Sequence, residues 1–121
     1  MALHESAEMY LENIYCLSKE SASVRSIDLV EAMGYSKPSI SRAVNLLKRD
    51  GYLLMDENGF LTLTESGLAV AEKIYQRHTV LTQALMSLGV DKDIAAEDAC
   101  KLEHVISDET FKAIQDHLSK Y

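Results

Sequence analysis

The sequence predicts a mainly α-helical fold carrying one small β-hairpin, and three observations predict it. Apolar residues recur at spacings of three and four along most of the chain, as helices with one buried face require. One stretch, GYLLMDENGFLTLT (51–64), breaks that period with two short β-prone runs around an Asn-Gly pair, a strong hairpin signal. It follows directly on two short helical stretches joined by a glycine. Two helices with a tight turn and then a hairpin make a winged helix-turn-helix, here followed by further helices.

The first helix is expected over residues 6–17, with Ala7, Tyr10, Leu11, Ile14 and Leu17 as its apolar stripe. Met9 and Glu12 lie off that stripe, three residues apart on a face of their own; a packing residue and a solvated charge are the plain alternatives. From Ser26 the chain reads SIDLVEAMGYSKPSISRAVNLLKRDGY. Ser26 is expected to cap the first of two short helices, whose buried side holds Ile27, Leu29, Val30 and Met33, and Gly34 supplies the turn. Ser36 caps the second, Pro38 sits in its first turn where a missing N–H matters least, and Ile40, Val44 and Leu47 face inward. Its outer face carries Lys37, Ser39, Ser41, Arg42 and Asn45, groups able to approach base edges and phosphates, although an ordinary solvated face would look similar.

The hairpin strands are expected over Tyr52 to Met55 and Phe60 to Leu63, with acidic residues near the tip and no Lys or Arg. Thr64 then caps a long helix containing Leu68, Val70, Ala71, Ile74, Leu81 and Leu85 and ending near Gly89. Asp93 or a neighbour starts another helix that includes AAEDACKLEHVI, and Ser107 caps a last one with Phe111, Ile114 and Leu118 inward. These carboxy-terminal helices are too few to bury their own apolar faces. A homodimer is the natural remedy, and its two-fold symmetry suits a palindromic DNA site.

With 121 residues, 47% of them hydrophobic, the chain can build one modest core and not two large domains. No run approaches the roughly 20 apolar residues of a membrane span, and MALHESAEMY carries carboxylates where a signal peptide needs basic and apolar residues, so a cytoplasmic protein without membrane association is expected. Cys16 and Cys100 are too few for a disulfide framework. The net charge of −7 argues against nucleic acid until its distribution is considered: residues 21–52 hold five basic and three acidic residues, a balance of +2. There is no glycine-rich phosphate loop, and Cys100 with His104 has no evident oxyanion site beside it, so an enzyme is not expected.

The stretch DACKLEH (98–104) sets Cys100, Glu103 and His104 at i, i+3 and i+4, one face of a helix. The trio suits a metal ion, or is a polar helix face with a small buried cysteine. His4, His117 and Cys16 are expected to be solvated or packed rather than ligands.

SAEMYLENIY (6–15), VRSIDLVEAMGYSKPSISRAVNLLKRDGYL (24–53), LTLTESGLAVAEKIYQRH (61–78) and DACKLEHVISDE (98–109) together resemble the diphtheria toxin repressor and manganese transport regulator family of metal-dependent transcriptional repressors. The resemblance covers essentially the whole chain. It implies a DNA-binding domain over residues 1–75, a helical metal-binding and dimerisation domain over 76–121, and the short form that lacks an SH3-like domain.

Carried over by position, it implies metal ligands at Met9, Glu12, His78, Cys100, Glu103 and His104. Met9 and Cys100 mark the iron-responsive kind of primary site, since carboxylates stand at those positions in the manganese branch. Further ligands of the iron branch's ancillary site fall on Thr82 and Ala96, which makes a second site weakened or differently built. The implied function is an Fe(II)-activated repressor of metal-uptake genes, with Mn(II) as the alternative ion and Co(II), Ni(II) or Zn(II) as surrogates. A winged-helix regulator controlled by an organic ligand is the rival of another class. DNA contacts are expected from Arg25, Lys37, Pro38, Ser39, Ser41, Arg42, Asn45 and Lys48, with the start of the recognition helix on bases and Arg42 and Lys48 on phosphate.

Overall fold

The computed structural model describes residues 5–120, so His4 lies outside the described residues. The order is α1 (Glu5–Glu20), α2 (Ser26–Met33), α3 (Lys37–Arg49), β1 (Leu53–Met55), β2 (Leu61–Leu63), α4 (Glu65–Ser87), α5 (Lys92–Leu102) and α6 (Asp108–Lys120). The chain divides into two compact units, residues 1–72 and 73–121, and the division falls within α4. The fold class is therefore the expected one: helical, with a two-stranded antiparallel wing after a helix-turn-helix.

In the first unit, α1, α2, α3, the wing and the start of α4 share one core of Tyr10, Leu11, Ile14, Leu29, Ile40, Val44, Leu47, Leu53, Leu61 and Ala71. Burying such aliphatic side chains contributes about 1.5–3 kcal/mol each. The stripe assigned to α1 is the buried one, but the helix continues to Glu20, with Ser18 Oγ donating back to the Ile14 carbonyl at 2.7 Å. Tyr10 packs 6.1 Å from the Tyr35 ring, and burial first, then Tyr35, raises its phenol pKa above the usual value.

Two local expectations for α2 need correction. Ser26 is the first helical residue and not the cap; Arg25 holds that position, and its N–H donates to Asp28 Oδ2 at 2.8 Å. Asp28 can reach back because it stands at N3, as in a capping box. Ile27 is exposed and leaves the burial to Leu29. At the far end Gly34 takes φ 72°, a left-handed turn that a side chain would disfavour, and its N–H closes on the Val30 carbonyl.

The α3 cap is as expected. Ser36 Oγ accepts from the Ser39 N–H at 3.3 Å and donates to Ser39 Oγ at 2.9 Å, while Pro38 occupies the first turn. Ser36→Ala should lower the unfolding free energy by about 1 kcal/mol, read from urea denaturation followed by circular dichroism. A variant as stable as the parent would show that the cap does not anchor this helix.

The wing strands are shorter than the two expected runs. Their register pairs Leu53 with Leu63, Leu54 with Thr62 and Met55 with Leu61, which turns Leu53 and Leu61 inward and leaves Leu54 exposed. The connection is a loop closed by Asp56, whose Oδ1 accepts from Asn58 N–H and Phe60 N–H at 2.9 Å each. Leu61 N–H also donates to the Val24 carbonyl at 2.7 Å, tying the wing to the segment before α2.

In the second unit Asp91, a near neighbour of Asp93, caps α5 by accepting from the Asp93 N–H. Ser107 caps α6 through the Thr110 N–H at 3.1 Å, and Phe111 faces inward. Met86, Leu88, Ile94, Leu102 and Val105 are exposed, Leu88 to 79% and Val105 to 69%, an apolar surface that a lone chain does not cover. No helix of the described residues is long and apolar enough to cross a membrane.

Candidate metal centre and nucleic-acid interface

α4 sets Ile74, Arg77, His78 and Leu81 on one face, and Ile74 and Leu81 are buried. His78 enters the second unit from that face, half-buried. Cys100 stands in the last turn of α5. The trio Cys100, Glu103 and His104 does not lie wholly within a helix, because α5 ends at Leu102. Glu103 keeps helical angles, with its N–H on the Ala99 carbonyl at 2.9 Å, and His104 follows in a turn. The turn forms because Val105 and Ile106 both donate to the Leu102 carbonyl at 3.1 Å, which closes the helix end instead of extending it.

Side chains still converge there. His78 Nδ1 lies 2.9 Å from Glu103 Oε2, and one ligand atom each from His78, Cys100 and Glu103 fall within 4.8 Å of one another. His104 Nε2 approaches Glu103 Oε1 at 3.4 Å. Glu103 has no exposed surface, and its Oε1 makes no hydrogen bond among the described residues, whereas Cys100 is exposed. A buried carboxyl oxygen left without a hydrogen bond costs free energy unless something of opposite charge completes it. A carboxyl, a thiol and imidazole nitrogen at this spacing fit a divalent transition metal. Thr82, an ancillary-site position, donates its hydroxyl to the His78 carbonyl at 2.7 Å, and Ala96 offers no donor atom. Met9 and Glu12 stand on α1 in the first unit, Met9 half-buried and Glu12 buried.

Arg77 is the residue that the sequence reading missed. It is 6% exposed, and Nη1 donates to the carbonyls of Glu103 at 3.0 Å and Ile106 at 2.8 Å. Its Nη2 donates to Asp108 Oδ1, and the guanidinium lies 5.6 Å from the centre of the Phe111 ring. Lys73 reaches the same Asp108 oxygen at 3.3 Å. Hydrogen bonds from Lys73 and then Arg77 hold the Asp108 carboxyl below the usual aspartate pKa. The available signal was a charged residue at i+3 from Ile74 and i−4 from Leu81, on the buried face of its helix, where a guanidinium must find acceptors.

In the first unit, Arg25, Lys37, Pro38, Ser39, Ser41, Arg42, Asn45 and Lys48 are all exposed. The Arg25 guanidinium stacks 4.4 Å from the centre of the Phe60 ring on the wing. Arg49 is partly neutralised by Asp50 at 3.1 Å.

Comparison with known proteins agrees with both halves. Residues 2–59 match the family described as iron dependent repressor, N-terminal DNA binding domain, and residues 64–121 match iron dependent repressor, metal binding and dimerisation domain. An HTH-type transcriptional regulator of Methanocaldococcus jannaschii is 32% identical over 98% of this chain and 97% of its own length. The HTH-type transcriptional regulator MntR of Lysinibacillus sphaericus is 33% identical over 92% of this chain and 80% of its own. Among solved structures, a manganese-dependent transcriptional repressor in complex with manganese superposes with a TM-score of 0.86 at 30% identity, over 93% of this chain and 52% of that one. The manganese regulator SloR gives 0.83 at 29% identity, over 98% of this chain and 55% of that one. The chain thus spans about half the length of these two solved relatives. From the paired domain matches and the full-length relatives, the chain belongs to the iron-dependent repressor family, metal-dependent transcriptional repressors that bind DNA and are not enzymes.

Proposed function

We propose that this chain is a cytoplasmic, Fe(II)-activated repressor that binds palindromic operator DNA as a homodimer and controls metal-uptake genes. The observation that carries the reading is the convergence of His78, Cys100 and Glu103 within 4.8 Å on a chain that also presents a capped, polar-faced recognition helix. His104 and, from α1, Met9 and Glu12 complete the ligand set that the family resemblance implies. A thiolate and a thioether are softer donors than carboxylates, which favours Fe(II) over Mn(II), with Co(II), Ni(II) and Zn(II) as surrogates in vitro. A bound divalent ion supplies the positive charge that the buried Glu103 carboxyl calls for.

The chain's own residues do the rest. Cys100 is the thiolate donor, Glu103 the buried anion, and His78 and His104 the imidazoles that flank it. Lys37, Pro38, Ser39 and Ser41 read bases from the start of α3; Arg42 and Lys48 take phosphates, with Arg25 and Asn45 beside them. DNA-binding function is assigned to residues 1–75, and dimerisation with most of the metal ligands to 76–121. The exposed apolar residues of the second unit support pairing with a second copy. Metal and operator tighten each other's binding by the same factor, as linkage requires.

Manganese is the second reading, and the names of two solved relatives favour it: the manganese regulator SloR and the manganese-dependent transcriptional repressor. Selection of duplexes from a random DNA library by the purified protein, under anaerobic conditions, separates the two. Fe(II) should enrich a palindrome that chelator abolishes. Equal or better enrichment with Mn(II) would transfer the assignment to manganese, and enrichment indifferent to metal would sink the switch.

A further inference from the structure

We infer that Arg77 is the positioning residue of the metal centre: it fixes the turn that carries Glu103 and His104, so that the donors are arranged before an ion arrives. The inference rests on the metal-site reading above and adds to it a residue that is not itself a ligand.

Two adjacent residues of α4 hold the same glutamate in different ways. His78 meets the Glu103 carboxyl at 2.9 Å, while Arg77 takes the Glu103 carbonyl at 3.0 Å. The same guanidinium also holds the Ile106 carbonyl at 2.8 Å and the Asp108 carboxylate. One planar fork thus secures both ends of the 103–108 segment. These carbonyls lie at and just beyond the end of α5, where helix geometry leaves acceptors without partners. Water cannot substitute readily, because Arg77 is 6% exposed and Glu103 is wholly buried. Without the clamp, the segment would have to be ordered at the moment of binding, and that ordering would weaken metal affinity. A lysine would carry the charge but not the fork, having one nitrogen to serve acceptors that lie in different directions.

Arg77→Lys and Asp108→Asn test this in the full chain, with anaerobic Co(II) as probe. The thiolate-to-cobalt charge-transfer band reports Cys100 and the geometry around the ion; circular dichroism and thermal melting of the metal-free protein report the fold. Arg77→Lys should weaken Co(II) binding about tenfold or more, as removal of groups that orient ligands typically does. It should also alter the band of the saturated protein. Asp108→Asn, at an exposed residue, should weaken binding severalfold while lowering the melting temperature only slightly. Parental affinity and band in both variants would overturn the proposal. So would an affinity loss in Arg77→Lys that only tracks a lowered melting temperature, with the saturated band unchanged. If Arg77→Lys fails to fold, Asp108→Asn decides: parental Co(II) affinity in it overturns the clamp. A parent protein that gives no thiolate band overturns the metal-site reading itself, and the clamp with it.

Discussion

Cys100→Ala is expected to fold as the parent does and to gain no DNA affinity when Fe(II) is added. The fold survives because Cys100 is exposed in the last turn of α5, where alanine is a good helix former and no core contact is lost. Surface changes of this kind stay within about 0.5 kcal/mol. The metal response does not survive, because the thiol is the soft member of the donor cluster. Even ligand-orienting partners are typically worth 10- to 100-fold in metal affinity, so loss of a ligand should cost about 100-fold or more. Fluorescence anisotropy on operator DNA, with Fe(II) and with chelator, reads the response, and thermal melting reads the fold. A full metal response in this variant would remove Cys100 from the site.

Gly67→Ala is expected to destabilise the first unit, against the direction that helix propensity alone would give. Alanine is favoured over glycine inside a helix by about 1 kcal/mol. At this position, however, an added Cβ would stand 2.1 Å from the Tyr52 carbonyl oxygen and 3.1 Å from its carbon, both main-chain atoms. That carbonyl is already fixed, accepting from Thr64 N–H at 3.1 Å, and Thr64 Oγ1 in turn donates to the Gly51 carbonyl at 2.7 Å. Neither side can yield without opening the junction between α4 and the wing. A net loss of about 2–3 kcal/mol is expected, the scale of overpacking in a well-filled core. Urea denaturation measures it, and a stabilised variant would show that the two backbones are not held in close approach.

Gly67 also shows what local pattern can and cannot disclose. The α3 cap at Ser36, Pro38 in the first turn, the hairpin and the apolar stripe of α1 were legible because each depends on residues a few positions apart. The spacing of Cys100, Glu103 and His104 pointed to a shared helical face, and the side chains converge although the helix stops at Leu102. That α5 ends before His104 was not legible, since the Glu103 and Ile106 carbonyls beyond it are taken by Arg77, 26 residues before Glu103 in the chain. Ser26 lies inside the helix because Arg25 holds the cap position, its N–H donating to the Asp28 carboxylate at N3. The close approach of Gly67 to Tyr52 depends on how the helix meets the strand, which no periodicity encodes. Met9 and Glu12 acquired a reading only through family resemblance.

The acidic wing bears on how the protein searches DNA. Asp56 spends one oxygen closing the tip loop, Glu57 is exposed beside it, and the tip carries no lysine or arginine. On the proposed reading, phosphate neutralisation comes mainly from Arg42 and Lys48 on α3, in a chain whose net charge is −7. Each phosphate contact displaces condensed counterions and adds about −0.9 to the slope of log affinity against log salt, so two per subunit give roughly −4 for the dimer. That is a shallow dependence for a repressor. With so little counterion release available on arbitrary sequence, the protein holds weakly to DNA that lacks its operator and leaves such sites quickly.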